Sequence, residues 1–169
     1  TYISSLRERL APSLKNIIYD SLLPNLTNSI KEKHHIDLFP YVDLKGKTPN
    51  KGIFAFNDLP RYAMGYAALS HTISFTVETH MLKPFPLRVE ATLAFMEELI
   101  NWTALNKFSI ENARNLAIDF TSNTTHLKYN YLSSSKKDSI LFKGYEHSFP
   151  IHNITCLLYT SDAADDGLC

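Results

Sequence analysis

The chain has 169 residues, is 44% hydrophobic and 20% charged, and balances 17 Lys+Arg against 17 Asp+Glu. That composition supports one packed core and excludes collagen-like or low-complexity architectures. The absence of a basic surplus argues against a generic nucleic-acid binder, and no 18-residue apolar run is present to span a membrane.

The first residue, Thr1, falls inside what reads as a helical pattern, with neither a basic n-region nor an apolar h-region before it. Sequence upstream of Thr1 is therefore expected. Residues 3–34 carry helical periodicity: Leu6, Leu10, Leu14, Ile17, Ile18 and Leu22 recur at three- and four-residue steps. Pro12 and Pro24 interrupt the pattern, and Pro24 is expected to open a new helix over 24–34, where its missing N–H costs nothing.

Phe39 to Leu44 alternates weakly and predicts a short strand; Lys45 to Gly52 reads as a loop. Residues 53–70 read as an irregular aromatic loop containing Phe54, Phe56, Pro60, Tyr62, Gly65 and Tyr66. Ile73 to Glu78 predicts a strand that ends on an acid. Leu87, Ala91, Ala94, Phe95, Leu99 and Trp102 form the stripe of a helix over 87–105, with Pro84 and Pro86 at its start. A second helix is expected over Ser109–Phe120 with Ser109 as its cap. His126–Leu132 and Ser139–Lys143 read as two further strands.

A carboxylate closing a strand sits where open α/β sheets place their ligands, which makes Glu78 a candidate catalytic group. The plainer alternative for Glu78 is a turn cap or an ion pair with Lys83 or Arg88. His80 lies two residues on, so a continuing strand would present it on the same face. By residue type alone Arg61 reads as a surface arginine, and Tyr62 and Tyr66 read as core aromatics. None of the seven histidines is followed by Glu at the third position, and the Glu32/His35 pair runs in the reverse order beside surface lysines.

Three pieces in order carry a family resemblance: Arg61-Tyr62-Ala63-Met64-Gly65-Tyr66, then Val77-Glu78-Thr79-His80-Met81-Leu82-Lys83-Pro84, then Arg88-Val89-Glu90-Ala91-Thr92. The set resembles the C-terminal part of bacterial zinc carboxypeptidases, of the carboxypeptidase A-like metallopeptidase family. Phe142-Lys143-Gly144-Tyr145 looks like the region that follows the catalytic core in those proteins. The resemblance implies an incomplete α/β carboxypeptidase fold, a mixed sheet flanked by helices, followed by a partial β element. It implies a catalytic-domain portion at 1–122 and the start of a β-rich extension at 123–155. It also implies hydrolysis of C-terminal peptide bonds. Glu78 is then the general base, Arg61, Tyr62, Tyr66 and His80 lie on the substrate side, and the peptide C-terminus is the ligand.

The family's zinc would be held by residues upstream of Thr1, in the missing N-terminal half of the same domain, so this chain alone is expected to bind no zinc and to be inactive. Secretion or a periplasmic location is the family's expectation. Two other readings stay open: a zinc-dependent N-acyl amino acid deacylase of the same fold, and a non-catalytic binding domain. A chain lacking half its sheet is expected to be marginally stable, with open strand edges and uncovered apolar faces.

Residues 156–169 begin Cys156-Leu157-Leu158-Tyr159-Thr160-Ser161-Asp162-Ala163-Ala164-Asp165 and look like a translated sequencing adapter. Both cysteines lie in this tail, as do three of the 17 acids, which leaves 14 acidic against 17 basic residues in the rest.

Overall fold

The computed structural model describes residues 1–5, 7–46 and 51–126. The expected strand at 126–132 beyond His126, the expected strand at 139–143, the Phe142–Tyr145 run, the rest of the extension at 123–155 and the tail at 156–169 lie outside the described residues.

The described part is mixed α/β. Strand β1 (Tyr2–Ser4) is followed by a 3-10 turn (Arg7–Arg9), helix α1 (Pro12–Asn16), a π-helical turn (Ile17–Leu22) and helix α2 (Leu23–His34). Strands β2 (Val42–Leu44) and β3 (Ile53–Ala55) form a hairpin. Helix α3 (Ala63–Leu69), strand β4 (Phe75–Val77) and helices α4 (Phe85–Leu105) and α5 (Lys107–Ser122) complete it.

The start of the chain is a strand and not a helix, because Tyr2, Ile3 and Ser4 pair antiparallel with Val77, Thr76 and Phe75 of β4. Leu10, Leu14, Ile18 and Leu22 of the apolar stripe are buried as its spacing predicts. Pro12 sits in the first turn of α1 and Pro24 in the first turn of α2. The two helices are nevertheless one continuous coil, joined by the π turn, in which Leu23 N–H reaches back five residues to the Ile18 carbonyl. A widened turn just before Pro24 is the expected accommodation of a ring that lacks an N–H and crowds the preceding turn.

Helix α2 ends on His35, a non-glycine residue at φ +57°. His35 N–H bonds the Lys31 carbonyl and Ile36 N–H bonds that of Ile30 at 3.5 Å, a six-to-one closure with Ile36 packing back on the core.

Two differences come from residues 53–70. The stretch contains β3 and α3 rather than a continuous irregular loop. β3 forms because Ile53, Phe54 and Ala55 pair with Leu44, Asp43 and Val42. Helix α5 begins at Lys107, so Ser109 is inside it and does not cap it. Helix α4 buries Ala94, Phe95 and Trp102 as expected, but Leu87 is exposed and Glu98 is buried in its place on the packed side.

The core lies between the α1–α2 coil, the core face of β1 and β4, and helices α4 and α5. One cluster holds Leu10, Leu14, Ile18 and Leu23 against Ala113 and Ala117, small residues that let α5 approach closely. A second holds Leu22, Leu26 and Ile30 against Phe95 and Trp102. Tyr2 and Phe75 pack edge to face at 6.3 Å, and Phe75 meets Phe95 at 5.7 Å. At the α2–α4 contact, Lys33 donates to both oxygens of Glu98, at 2.8 and 3.0 Å, which makes the buried acid tolerable.

Candidate functional site

Alternation along β4 sends Phe75 and Val77 toward the core and therefore Thr76 and Glu78 toward the other face. Thr76 Oγ1 meets Met64 Sδ of α3 at 2.6 Å, so α3 lies on that second face. The strand ladder extends one step past Val77: Glu78 N–H donates to the Thr1 carbonyl at 3.0 Å, and its carbonyl accepts from the Thr1 ammonium at 2.7 Å. The backbone of Glu78 is thus fixed while its side chain is exposed. Among the described residues it forms no ion pair with Lys83 or Arg88.

The other edge of β1 is bridged in parallel by Pro40, with Tyr2 N–H bonding the Phe39 carbonyl at 3.0 Å and Tyr41 N–H bonding the Tyr2 carbonyl at 2.8 Å. Pro40 pairs with core-facing Tyr2, so Tyr41 falls on the Glu78 side of the sheet. Its hydroxyl donates to Asp43 Oδ1 at 3.3 Å. Burial raises the Tyr41 phenol above its ordinary range, and the negative charges of Asp43 and Glu78 push it the same way.

From Tyr41 a chain of aromatic contacts leads to the arginine. Tyr41 meets Phe56 edge to face at 6.3 Å, and Phe56 meets Tyr62 at 4.9 Å. The Arg61 guanidinium lies 4.9 Å from the Tyr62 ring centre and donates to the Tyr62 hydroxyl at 2.9 Å. Arg61 is exposed, which leaves guanidinium donors for a ligand.

The loop carrying Arg61 is anchored from beneath. Asp58 is fully buried with Arg9 Nε 3.4 Å from its Oδ1, and Arg9 Nη2 donates to Asn57 Oδ1 at 2.9 Å. Gly65 packs so tightly under Asp58 and Leu59 that a Cβ there would clash with both carbonyl oxygens.

The structure thus groups Arg61 with Tyr62, Phe56 and Tyr41, while Glu78 stands exposed at the end of β4. Tyr66, one helical turn after Tyr62, is 70% exposed. His80 does not continue the strand, which ends at Val77. It lies in a turn where its Nδ1 accepts from Leu82 N–H at 3.2 Å and its carbonyl accepts from Lys83 N–H at 3.0 Å. Tyr41 and Asp43 escape a reading by motif. The weak alternation of 39–44 was the available signal, because it places Tyr41 on one face of a strand.

Chemically, an exposed carboxylate at a strand end can accept a proton from water, and an exposed guanidinium can hold a carboxylate. Among the described residues no group of three or more His, Cys, Asp or Glu side chains is arranged to hold a metal. No described helix is long and apolar enough to cross a membrane. Compared with family models, curated proteins and solved structures, the chain matches none.

Proposed function

We propose that this chain is the C-terminal part of the catalytic domain of a zinc carboxypeptidase-like hydrolase that cleaves C-terminal peptide bonds. In this reading Glu78 takes a proton from the attacking water and returns it to the leaving amine. Arg61 binds the terminal carboxylate of the substrate, with Tyr62 fixing the guanidinium plane. Tyr66 donates to the substrate from the exposed side of α3, and His80 shapes the turn that follows the base. Zinc in this family polarises the scissile carbonyl. The ligands for it are assigned to polypeptide outside this sequence, as the described residues do not supply them.

One observation supports the reading above the others. The exposed Glu78 carboxylate closes β4, and the exposed Arg61 guanidinium rests on Tyr62, from which ring contacts run through Phe56 to Tyr41. A base and a carboxylate anchor are what carboxypeptidase chemistry needs from protein side chains.

The test uses a protein that carries this chain together with its upstream sequence. It should release C-terminal amino acids from peptides, a chelator should stop the release, and N-acyl amino acids should turn over more slowly. Faster turnover of the N-acyl amino acid would replace the peptidase reading with a deacylase. No chelator-sensitive hydrolysis of either would leave a binding domain.

A further inference from the structure

Helix α4 is apolar on two sides. Ala94, Phe95 and Trp102 face the core, and a second stripe of Phe85, Val89, Leu93 and Met96 recurs at steps of four, four and three on the opposite side. The members of that stripe are 68, 48, 51 and 52% exposed. Together with Thr79, which follows the end of β4, they line an open groove of about 440 Å³. That volume falls within the roughly 300–1,000 Å³ of small-molecule sites.

One cation stands in the groove. Arg88 lines it, with its guanidinium 5.6 Å from the Phe85 ring centre. Its Nε is shielded from solvent and has no hydrogen-bond partner, and no carboxylate among the described residues pairs with it. The Thr92 hydroxyl is occupied by the Arg88 carbonyl at 3.0 Å. A guanidinium with no carboxylate partner keeps its outer N–H donors for an arriving anion.

We infer that this groove binds a free amphiphilic carboxylate such as a medium-chain fatty acid, its head group on Arg88 and its tail along Phe85, Val89, Leu93 and Met96. The charge of the ligand follows from the single unpaired guanidinium, and its apolar tail from the stripe. A second copy of the chain suits the groove less well. Glu90 and Glu97 flank the stripe, and a two-fold pairing of α4 with itself would bring these like charges together.

Calorimetric titration of the full chain with decanoate below its micellar concentration, and with decan-1-ol below its solubility limit, tests it. Decanoate should saturate one site. Arg88→Gln should weaken decanoate by about tenfold and decan-1-ol by less than about twofold, because only the first loses a charge-assisted hydrogen bond. Leu93→Ser should weaken both ligands, and circular dichroism should show both variants folded as the parent chain is. The proposal is overturned if decanoate does not saturate the parent chain, or if Arg88→Gln leaves decanoate unaffected or weakens both ligands equally. It is equally overturned if sedimentation shows a dimer whose formation excludes decanoate.

Discussion

Single residues carry much of the geometry, and three of them give direct tests. Gly65 lets α3 seat under the carbonyls of Asp58 and Leu59, the loop that delivers Arg61. Gly65→Ala should lower stability by about 1–3 kcal/mol through overpacking, read as a lower thermal midpoint. His35 occupies the left-handed region at φ +57° without being glycine. His35→Gly should raise stability by roughly 0.5–1 kcal/mol in denaturant titration, as the closing turn loses its Cβ strain. Tyr2 is held up to about 12, first by burial and then by Tyr19. A phenol with a raised folded value contributes stability that is present below its ordinary value of about 10 and is lost as pH rises from there toward 12. Alkaline unfolding should therefore begin in that window, and Tyr2→Phe should delay it.

At the scale of elements, helix α4 shows where a sequence pattern is informative and where it is not. The core stripe through Ala94, Phe95 and Trp102 was readable because three- and four-residue spacing is a property of any packed helix. The burial of Glu98 was not readable, because its partner Lys33 lies 65 residues away on α2. Lys33 holds the Glu98 carboxyl below its usual range, and His34, with Nε2 3.6 Å away, acts in the same direction against the opposing effect of burial. A depressed acid stabilises the fold above its unfolded value of about 4.5, and that contribution disappears as pH falls through the lower folded value. Lys33 is 58% exposed, so the pair is worth on the order of 1 kcal/mol. Glu98→Gln should lose that amount near neutral pH and show a weaker acid dependence of its thermal midpoint than the parent chain.

The helix-or-strand choice at the chain start went the other way for a similar reason. Tyr2, Ile3 and Ser4 are strand only because β4, more than seventy residues later, pairs with them. Local spacing carries no record of that partner. The strand at 75–77 was legible from its β-branched and aromatic alternation, while β3 was hidden in an aromatic stretch whose pairing partner, β2, is weakly patterned.

For the molecule as a whole, the mixed α/β class and most core residues follow from periodicity, whereas the site depends on contacts between distant segments. Glu78, Arg61 and Tyr62 could be named from residue type and motif order. The ring contacts that tie Arg61 and Tyr62 to Phe56 and Tyr41 could not be named, because Tyr41 stands 20 residues before Arg61 and carries no motif. The exposed stripe on α4 and the strands paired on one side only, β4 among them, give the described part open surfaces of the kind that take a ligand or further polypeptide.

The central claim, that Glu78 acts as the base beside an Arg61 carboxylate anchor, is tested most directly by steady-state kinetics of Glu78→Gln in a protein that carries this chain with its upstream sequence. The predicted result is a fall in kcat of about 10²–10⁴ with KM within about twofold of the parent, since a lost base leaves the carboxylate anchor in place. A variant that keeps the parent kcat would contradict it.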